Sequence, residues 1–560
     1  MRRIRRSLVL LTTACALVGC KGDGDGSGNE AEAGTSADSG EAGTESADGT
    51  GDDGVPQGWE FSDVYGVPNL DDDNSNDAPD WNELPFDGDD DFNAFVLHAG
   101  AVATMAEGDI VRLTLTSGAE GVRLWQNGAP VLGHDVAAPI TTYEFAPDGE
   151  VSFPVEFADY LATAMMTVER VDSGGNTVES YDVTLMASPA ILYNHLEETV
   201  AVFATDLGSQ NAGLIQGYQQ GFGSMFNPVP GNVVQFDPWV QDEVQFAHSL
   251  GTNGEQMNTV IDSIRNRGLD NFAPTYLDMP DWYRGTWGVP SQVTSWDSFG
   301  NLEVSPPVTV DGVEYPFGRI YYGKWASAGI HQQMADFLVS QKVQRPFEID
   351  TSWLCVGHVD EFMSFVPDPS SEKGFKMIFA DIDAAWELLN TLDPGMSIGK
   401  FASGHGYSTV GDILNDANLV AENNDIQSDI LDVERAKYMA QLGLTEDDVI
   451  RIPSLFEVVS QCGGDVAALI PGTPNLIVGN VQGQTTLYPP DPWFRPNGAG
   501  QDQDPVIADF IERMPDGINV MFLDDWNTYH MGLGEVHCGT NMIRVPSKNW
   551  WEVGMHLING

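Results

Sequence analysis

From about Trp59 to Ile191 apolar and polar residues alternate in short runs, parted by Gly, Asp and Asn. Examples are Phe95-Val96-Leu97-His98, Val111-Arg112-Leu113-Thr114-Leu115, Val122-Arg123-Leu124-Trp125, Val168-Glu169-Arg170-Val171 and Tyr181-Asp182-Val183-Thr184-Leu185. A period of two lays one face of each strand on a core and leaves the other to solvent. The region therefore predicts a small β-sandwich, immunoglobulin-like in character. From about Tyr193 onward strand-like runs alternate with helical ones, which predicts a large α/β region. Ile382, Ala385, Trp386 and Leu389 fall at i, i+3, i+4 and i+7, one face of a helix. Phe375–Phe379 and Ile518–Leu523 predict strands, and Thr445 with Asp448 predicts a capping pair. No short-period repeat is visible.

The first 57 residues follow neither pattern. Four arginines precede an apolar run from Leu8 to Leu17, too short to span a bilayer and suited to an export signal. The run ends in Leu17-Val18-Gly19-Cys20, which resembles a bacterial lipobox. The resemblance implies cleavage before Cys20, acylation of that residue, and a lipid anchor in a bacterial membrane facing outside the cytoplasm. The alternative is a soluble secreted protein with a chance cysteine. Residues 21–57 are Gly, Ser, Ala, Thr, Glu and Asp with almost no large apolar residue, and predict a flexible acidic tether. The expected division is thus a signal (1–20), a tether (21–57), a β-sandwich domain (58–191) and a large α/β domain (192–560).

Charge narrows the partners. The 560 residues hold 83 acidic against 25 basic side chains, a formal net charge of −58. Nucleic acid is excluded as the expected partner, because phosphate binding needs clustered Lys and Arg. Cations or basic substrates fit, although acidity also keeps an exported protein soluble. Five cysteines, Cys15, Cys20, Cys355, Cys462 and Cys538, are too few for a disulfide framework. With Cys15 removed and Cys20 modified, an odd number remains, so at least one is free or pairs outside the chain.

Three segments carry candidate chemistry. Gly534–Asn541 sets Cys538 beside His537 and between glycines that let a ligand approach the backbone. A nucleophile and a buried small apolar residue both fit that setting. Read as a strand, Trp353–Phe362 puts Val356, His358 and Asp360 on one face and turns Cys355 toward the core. His358 and Asp360 are then either a structural pair or a histidine and carboxylate facing one pocket. Asp242 stands among apolar and aromatic residues in Phe236–Phe246. If buried, it needs a cationic partner such as a guanidinium, whose planar fork matches a carboxylate.

Taken together, Phe236–Phe246, Ile261–Leu269, Asp297–Val310, Thr351–Pro367 and Thr528–Asn541 resemble the protein-arginine deiminases, in that family's order. The resemblance implies a pentein fold, a propeller of ββαβ-type modules, and calcium-dependent conversion of arginine in proteins or peptides to citrulline. It implies that Asp242 and Asp360 grip the guanidinium, that His358 is the general acid and base, and that Cys538 is the nucleophile. Trp239 and Val356 would line the channel for the arginine stem, and Arg267 would hold the substrate backbone.

The same resemblance implies calcium sites. Gln241, the backbone oxygens of Phe299 and Leu302, and Glu303 match one; Glu243, Asp262, Ser263, Asn266 and Asp281 match a second. Gln245 stands where the family usually has a glutamate, which weakens the first site. In the acidic cluster from Asn69 to Asp91, only Asn69, Asp71 and Asp73 carry over as calcium ligands; a solvated linker is the alternative. Two other functions remain open: a deiminase or amidinotransferase acting on free arginine or another small guanidine, and a non-catalytic calcium-binding surface protein.

Overall fold

Nine strands between Val64 and Ala187 lie in two sheets. One sheet runs in the order Val64–Gly66, Thr177–Ala187, Thr163–Val171, Ile110–Ser117, Thr142–Phe145; the other runs Asn93–Leu97, Val151–Phe157, Val122–Gln126, Ala129–Gly133. The alternation works as expected in Ile110–Ser117, where Val111, Leu113 and Leu115 turn inward onto one apolar core shared by both sheets. Val122–Trp125 departs from it, because Arg123 is buried too. Its guanidinium pairs with Glu156 at 3.1 Å and lies 3.8 Å over the Trp81 ring, which satisfies the charge inside this two-sheet region. The protein is described by a computed structural model covering residues 58–72, 78–82, 92–326 and 328–560. The signal, Cys20, the tether and Asp73 lie outside the described residues.

Beyond Ile191 the chain builds five small sheets of three or four strands, with no closed barrel among the described residues. Each sheet combines an antiparallel pair with a parallel pair. In the first, Val244–Leu250 pairs antiparallel with Gln256–Asp262, which pairs in parallel with Trp282–Gly285. The pattern returns at Leu302–Val304, Ile320–Trp325 and Phe347–Asp350, and at Met363–Pro367, Phe375–Asp381 and Val449–Pro453. It returns again at Ile477–Val481, Gln484–Tyr488 and Asn519–Val520. The fifth sheet joins distant parts of the chain: Thr540–Arg544 runs antiparallel to Thr199–Asp206, which runs parallel to Phe226–Pro230. Parallel neighbours need a crossover, and helices such as Gln332–Ser340 and Pro505–Arg513 supply it.

The helix over Ile382–Thr391 forms as its periodicity predicts, with Asp381 accepting from the Ala384 N–H at 2.8 Å as its cap. Ile382, Ala385 and Leu389 are buried and Trp386 packs half-buried beside them. Thr445 and Asp448 form the expected capping box. Three expectations fail. Residues 353–362 are not a strand: Gly357 adopts φ +87°, and Val359–Glu361 is a 3-10 turn capped by His358. Within Ile518–Leu523 only Asn519–Val520 is strand, because its neighbour runs into Pro489-Pro490, which lack N–H donors. Cys355 is not a core thiol but is disulfide-bonded to Cys462, leaving Cys538 free and buried among the described cysteines. No described helix is long and apolar enough to cross a membrane.

Candidate active site

Five turns, each just ahead of the first antiparallel strand of one sheet, meet at a single place. Val240–Glu243 is a helical turn before Val244 and carries Asp242; Phe299–Asn301 is a 3-10 turn before Leu302 and carries Gly300. Val359–Glu361 precedes Met363 and carries Asp360, with His358 at its cap. Asn475 lies just before Ile477, and Cys538 just before Thr540. A strand fixes its own direction, so a side chain on the turn that feeds it is aimed by the whole sheet.

The convergence is tight. Cys538 Sγ lies 3.2 Å from Asp360 Oδ2 and accepts from Asn475 Nδ2 at 3.2 Å. His358 Nδ1 lies 3.5 Å from Asp242 Oδ1, while its Nε2 is 2.9 Å from the Ser295 carbonyl. A Cβ at Gly300 would sit 2.8 Å from His358 Nδ1 and 3.1 Å from both Asp242 Oδ1 and Asp360 Oδ2. Two carboxylates, an imidazole and a thiol therefore surround one slot, and all four residues are buried. Burial, then Asp360 and Asp242, pushes the Cys538 thiol well above its usual range, so it is protonated while the slot is empty. Burial likewise pushes Asp242 upward, opposed by His358 and reinforced by Asp360.

Sequence pattern alone does not single out Asn475, Gly300 or Arg265. Asn475 clamps the Cys538 turn: its Oδ1 accepts from the N–H groups of His537 (2.9 Å) and Cys538 (3.3 Å), and its Nδ2 also donates to the Asp360 carbonyl (3.0 Å). Its sequence context, a proline-flanked turn, carries no signal of that role. Arg265, buried, places Nη2 3.4 Å from Asp242 Oδ2 and Nη1 3.5 Å from Glu243. Asp242 thus already faces a guanidinium of its own chain.

Trp239 packs its indole where Gly534 has no side chain; a Cβ there would lie 2.6 Å from the ring and 3.4 Å from the Cys538 Cβ. Trp239 therefore borders Cys538. Val356 is half-buried, and its carbonyl accepts from the Ser295 hydroxyl. Arg267 is half-exposed, 3.2 Å from Asp237, and borders an open cleft of about 600 Å³ with Phe236, Pro238 and Asn266.

The expected calcium ligands divide. Glu243 is buried, and its Oε1 has no hydrogen-bond partner among the described residues. Burial, then Asp262 and Asp270, pushes its carboxyl up to about 10; burial pushes Asp262 up to about 6. Two buried carboxyls that resist ionising beside one another fit a hard cation. Ser263 joins them through its N–H to the Glu243 carbonyl, 2.9 Å. Asp281 does not: the register sets Trp282 opposite Asn258, at the far end of the strand that ends in Asp262. At about 3.3 Å per residue that is on the order of 16 Å away.

Gln241, the Phe299 and Leu302 carbonyls and Glu303 do come together, but the amides act as donors. Gln241 Nε2 donates to the Phe299 carbonyl (3.0 Å) and Gln245 Nε2 to that of Leu302 (3.1 Å). His195 and His537 flank Glu303, so this donor set does not fit a cation that wants six to eight oxygens. In the N-terminal two-sheet region, Asn69 and Asp71 are buried, and Asn69 Nδ2 donates to Glu156 at 2.9 Å.

The family profile described as protein-arginine deiminase (PAD) matches residues 177–552. Protein-arginine deiminase type-4 of Rattus norvegicus is 37% identical over 341 residues, 57% of this chain and 48% of its own length. The type-4 protein of Homo sapiens is 36% identical over 338 residues, again 57% and 48%. The type-1 protein of Mus musculus is 37% identical over 327 residues, 56% and 47%. The chain spans about half the length of the curated relatives it matches. With the profile covering more than half of its residues, and five separate turns delivering the side chains its motifs contain to one slot, the chain belongs to the protein-arginine deiminase family.

Proposed function

We propose that this protein hydrolyses the guanidinium group of arginine in proteins or peptides, giving citrulline and ammonia. The observation that carries this reading is the closure of Asp242, His358 and Asp360 around the point marked by Gly300, with Cys538 Sγ 3.2 Å from the same Asp360 oxygen. A guanidinium carbon is a poor electrophile because its charge is spread over three nitrogens. Asp242 and Asp360 on either side fix the group and localise that charge. The substrate's positive charge also offsets the two carboxylates that hold the Cys538 proton in place, so binding favours the thiolate.

The thiolate adds to the guanidinium carbon to give a tetrahedral adduct. His358 passes a proton to one terminal nitrogen, the C–N bond breaks and ammonia leaves, with a thiouronium ester on Cys538. A water then gives a proton to His358 and adds to the same carbon; the C–S bond breaks as the adduct's hydroxyl proton passes to Asp360, returning the thiolate and releasing the neutral ureido group of citrulline. The product is neutral, so two carboxylates no longer hold it. Arg267, half-exposed beside an open surface cleft, suits contact with the backbone of a peptide substrate.

This reading assigns calcium to Glu243, Asp262 and Ser263 with Asn266, where the ion would supply positive charge beside Asp242. It takes the five sheets as blades of a pentein-type propeller and the two-sheet region as immunoglobulin-like, with the domain division set out above. It keeps the exported, lipid-anchored location that the N-terminal sequence suggests.

The test is citrulline and ammonia release from a blocked arginine peptide and from free arginine, with calcium titrated, for the native chain and Cys538→Ala. The blocked peptide should react, and the variant should lose at least about 10³-fold in rate, as nucleophile loss does elsewhere. Activity that survives in Cys538→Ala, or that is confined to free arginine, defeats the reading.

A further inference from the structure

We infer that His195, Glu303 and His537 form a binding site for a borderline transition cation, best matched by zinc, at the place where the family resemblance sets a calcium ion. All three residues are buried, and their ligand atoms lie within 4.8 Å of one another. His195 Nε2 is 3.4 Å from Glu303 Oε2, and His537 Nε2 is 3.4 Å from Glu303 Oε1. These separations are long for hydrogen bonds. Each imidazole faces its own oxygen of the Glu303 carboxylate, so the two nitrogens and the carboxylate surround one point within reach of metal–ligand bonds of about 2.0–2.2 Å after small side-chain adjustment.

Both imidazoles are set for that role from behind. His537 Nδ1 is 3.0 Å from Asp360 Oδ2, and His195 Nδ1 is 3.1 Å from Ser364 Oγ. A ring that gives Nε2 to a metal keeps its proton on Nδ1, where an oxygen acceptor holds it; here a carboxylate and a hydroxyl stand in those places. The three residues line a cavity of about 30 Å³, room for the ion and little more than one solvent molecule in the fourth position.

The donor chemistry separates this site from a calcium site. Two nitrogens and one carboxylate suit zinc and its neighbours, whereas calcium requires more oxygens than the set offers. Gln245, in the position the family usually gives to glutamate, supplies an amide whose Nε2 is turned onto the Leu302 carbonyl. Arg544 also lines the cavity, and its charge opposes a cation there. Its guanidinium, however, is turned onto the backbone carbonyls of His195, Glu197 and Val478.

Zinc at this position would hold His537 with its Nδ1 proton donated to Asp360, the carboxylate that also accepts from Cys538. Loading the site therefore reaches the nucleophile through one shared oxygen.

The test is zinc binding to the full chain carrying Cys538→Ala, which removes the thiol as a competing ligand and makes the result independent of any enzymatic activity. Metal content after dialysis, competition with a chromophoric chelator, and the visible spectrum of the cobalt-loaded protein are read together. One zinc per chain, tetrahedral cobalt bands, and an affinity lowered by about 100-fold or more in His195→Ala are expected; calcium should not displace the zinc. Ser364→Ala keeps every ligand and should weaken binding by about 10-fold, so the proposal stands or falls even if His195→Ala does not fold. A folded chain that binds no zinc, keeps native affinity in His195→Ala and Ser364→Ala, or yields its zinc to calcium overturns it.

Discussion

Gly300 has no side chain, and the space this leaves lies among the three groups that would hold and work on a guanidinium. Its φ is not in the left-handed region, so alanine meets no backbone strain there, only the three side chains in front of it. Gly300→Ala should therefore fold, with a thermal midpoint lowered by at most several degrees. It should lose about 100-fold or more in kcat/KM for a blocked arginine peptide, since displacement of about 1 Å at a reacting centre has that effect. Steady-state kinetics and thermal melts on the same preparation check this; unchanged kcat/KM would show that the slot lies elsewhere. Arg265 makes a related point. Its guanidinium already rests near Asp242, so the pocket's match to that chemistry is visible within the chain itself.

At the scale of elements, the turn ahead of a strand is the repeated device. Asp242, Gly300, Asp360, Asn475 and Cys538 each occupy one such turn, and none lies inside a strand or a long helix. Irregular backbone can aim a side chain inward, but it is the part of a fold with least cooperative support. Two constraints supply that support. Asn475 ties the Cys538 turn to the Asp360 turn, and the Cys355–Cys462 bond ties the approach to His358 to the turn at Ser460–Cys462. The loop this bond closes spans 107 residues. A double variant, Cys355→Ser with Cys462→Ser, should lose about 2–4 kcal/mol in denaturant unfolding while keeping a reactive Cys538. An unfolding midpoint equal to the native one would mean the bond constrains nothing.

For the whole molecule the governing quantity is negative charge, −58 in all. Several of those carboxyls are buried in the folded chain. Burial pushes Glu197 up to about 7 and Asp262 up to about 6, and Glu243 up to about 10. A carboxyl whose folded value is raised binds more protons folded than unfolded, so its contribution to stability is complete below the ordinary value of about 4. That contribution fades as pH climbs toward the folded value. With chelator present, the thermal midpoint should fall between about pH 5 and about pH 8, and general repulsion acts in the same direction. Millimolar calcium should narrow the gap by neutralising Glu243 and Asp262. A chelated protein more stable at the higher pH would contradict this account.

Periodicity and capping chemistry are enough to locate strands at Val111–Leu115 and Phe375–Phe379, a helical face at Ile382–Leu389 and the cap at Thr445, because those signals concern residues that touch within one element. Motifs long enough to resemble a family's own point to Asp242, His358, Asp360 and Cys538 within the sequence itself. Other features depended on packing. Gly357 ended a strand that alternation alone supported, and Pro489-Pro490 curtailed another from the neighbouring strand. Asp281 proved to stand at the wrong end of its sheet for the site its motif suggested. The pairing of Cys355 with Cys462, the burial of Arg123 against Glu156, and the approach of His195 to Glu303 and His537 join segments far apart in the chain. Local pattern reports which face of an element is apolar; which polar groups then meet across the core is set by how the sheets pack, and only the folded molecule specifies that.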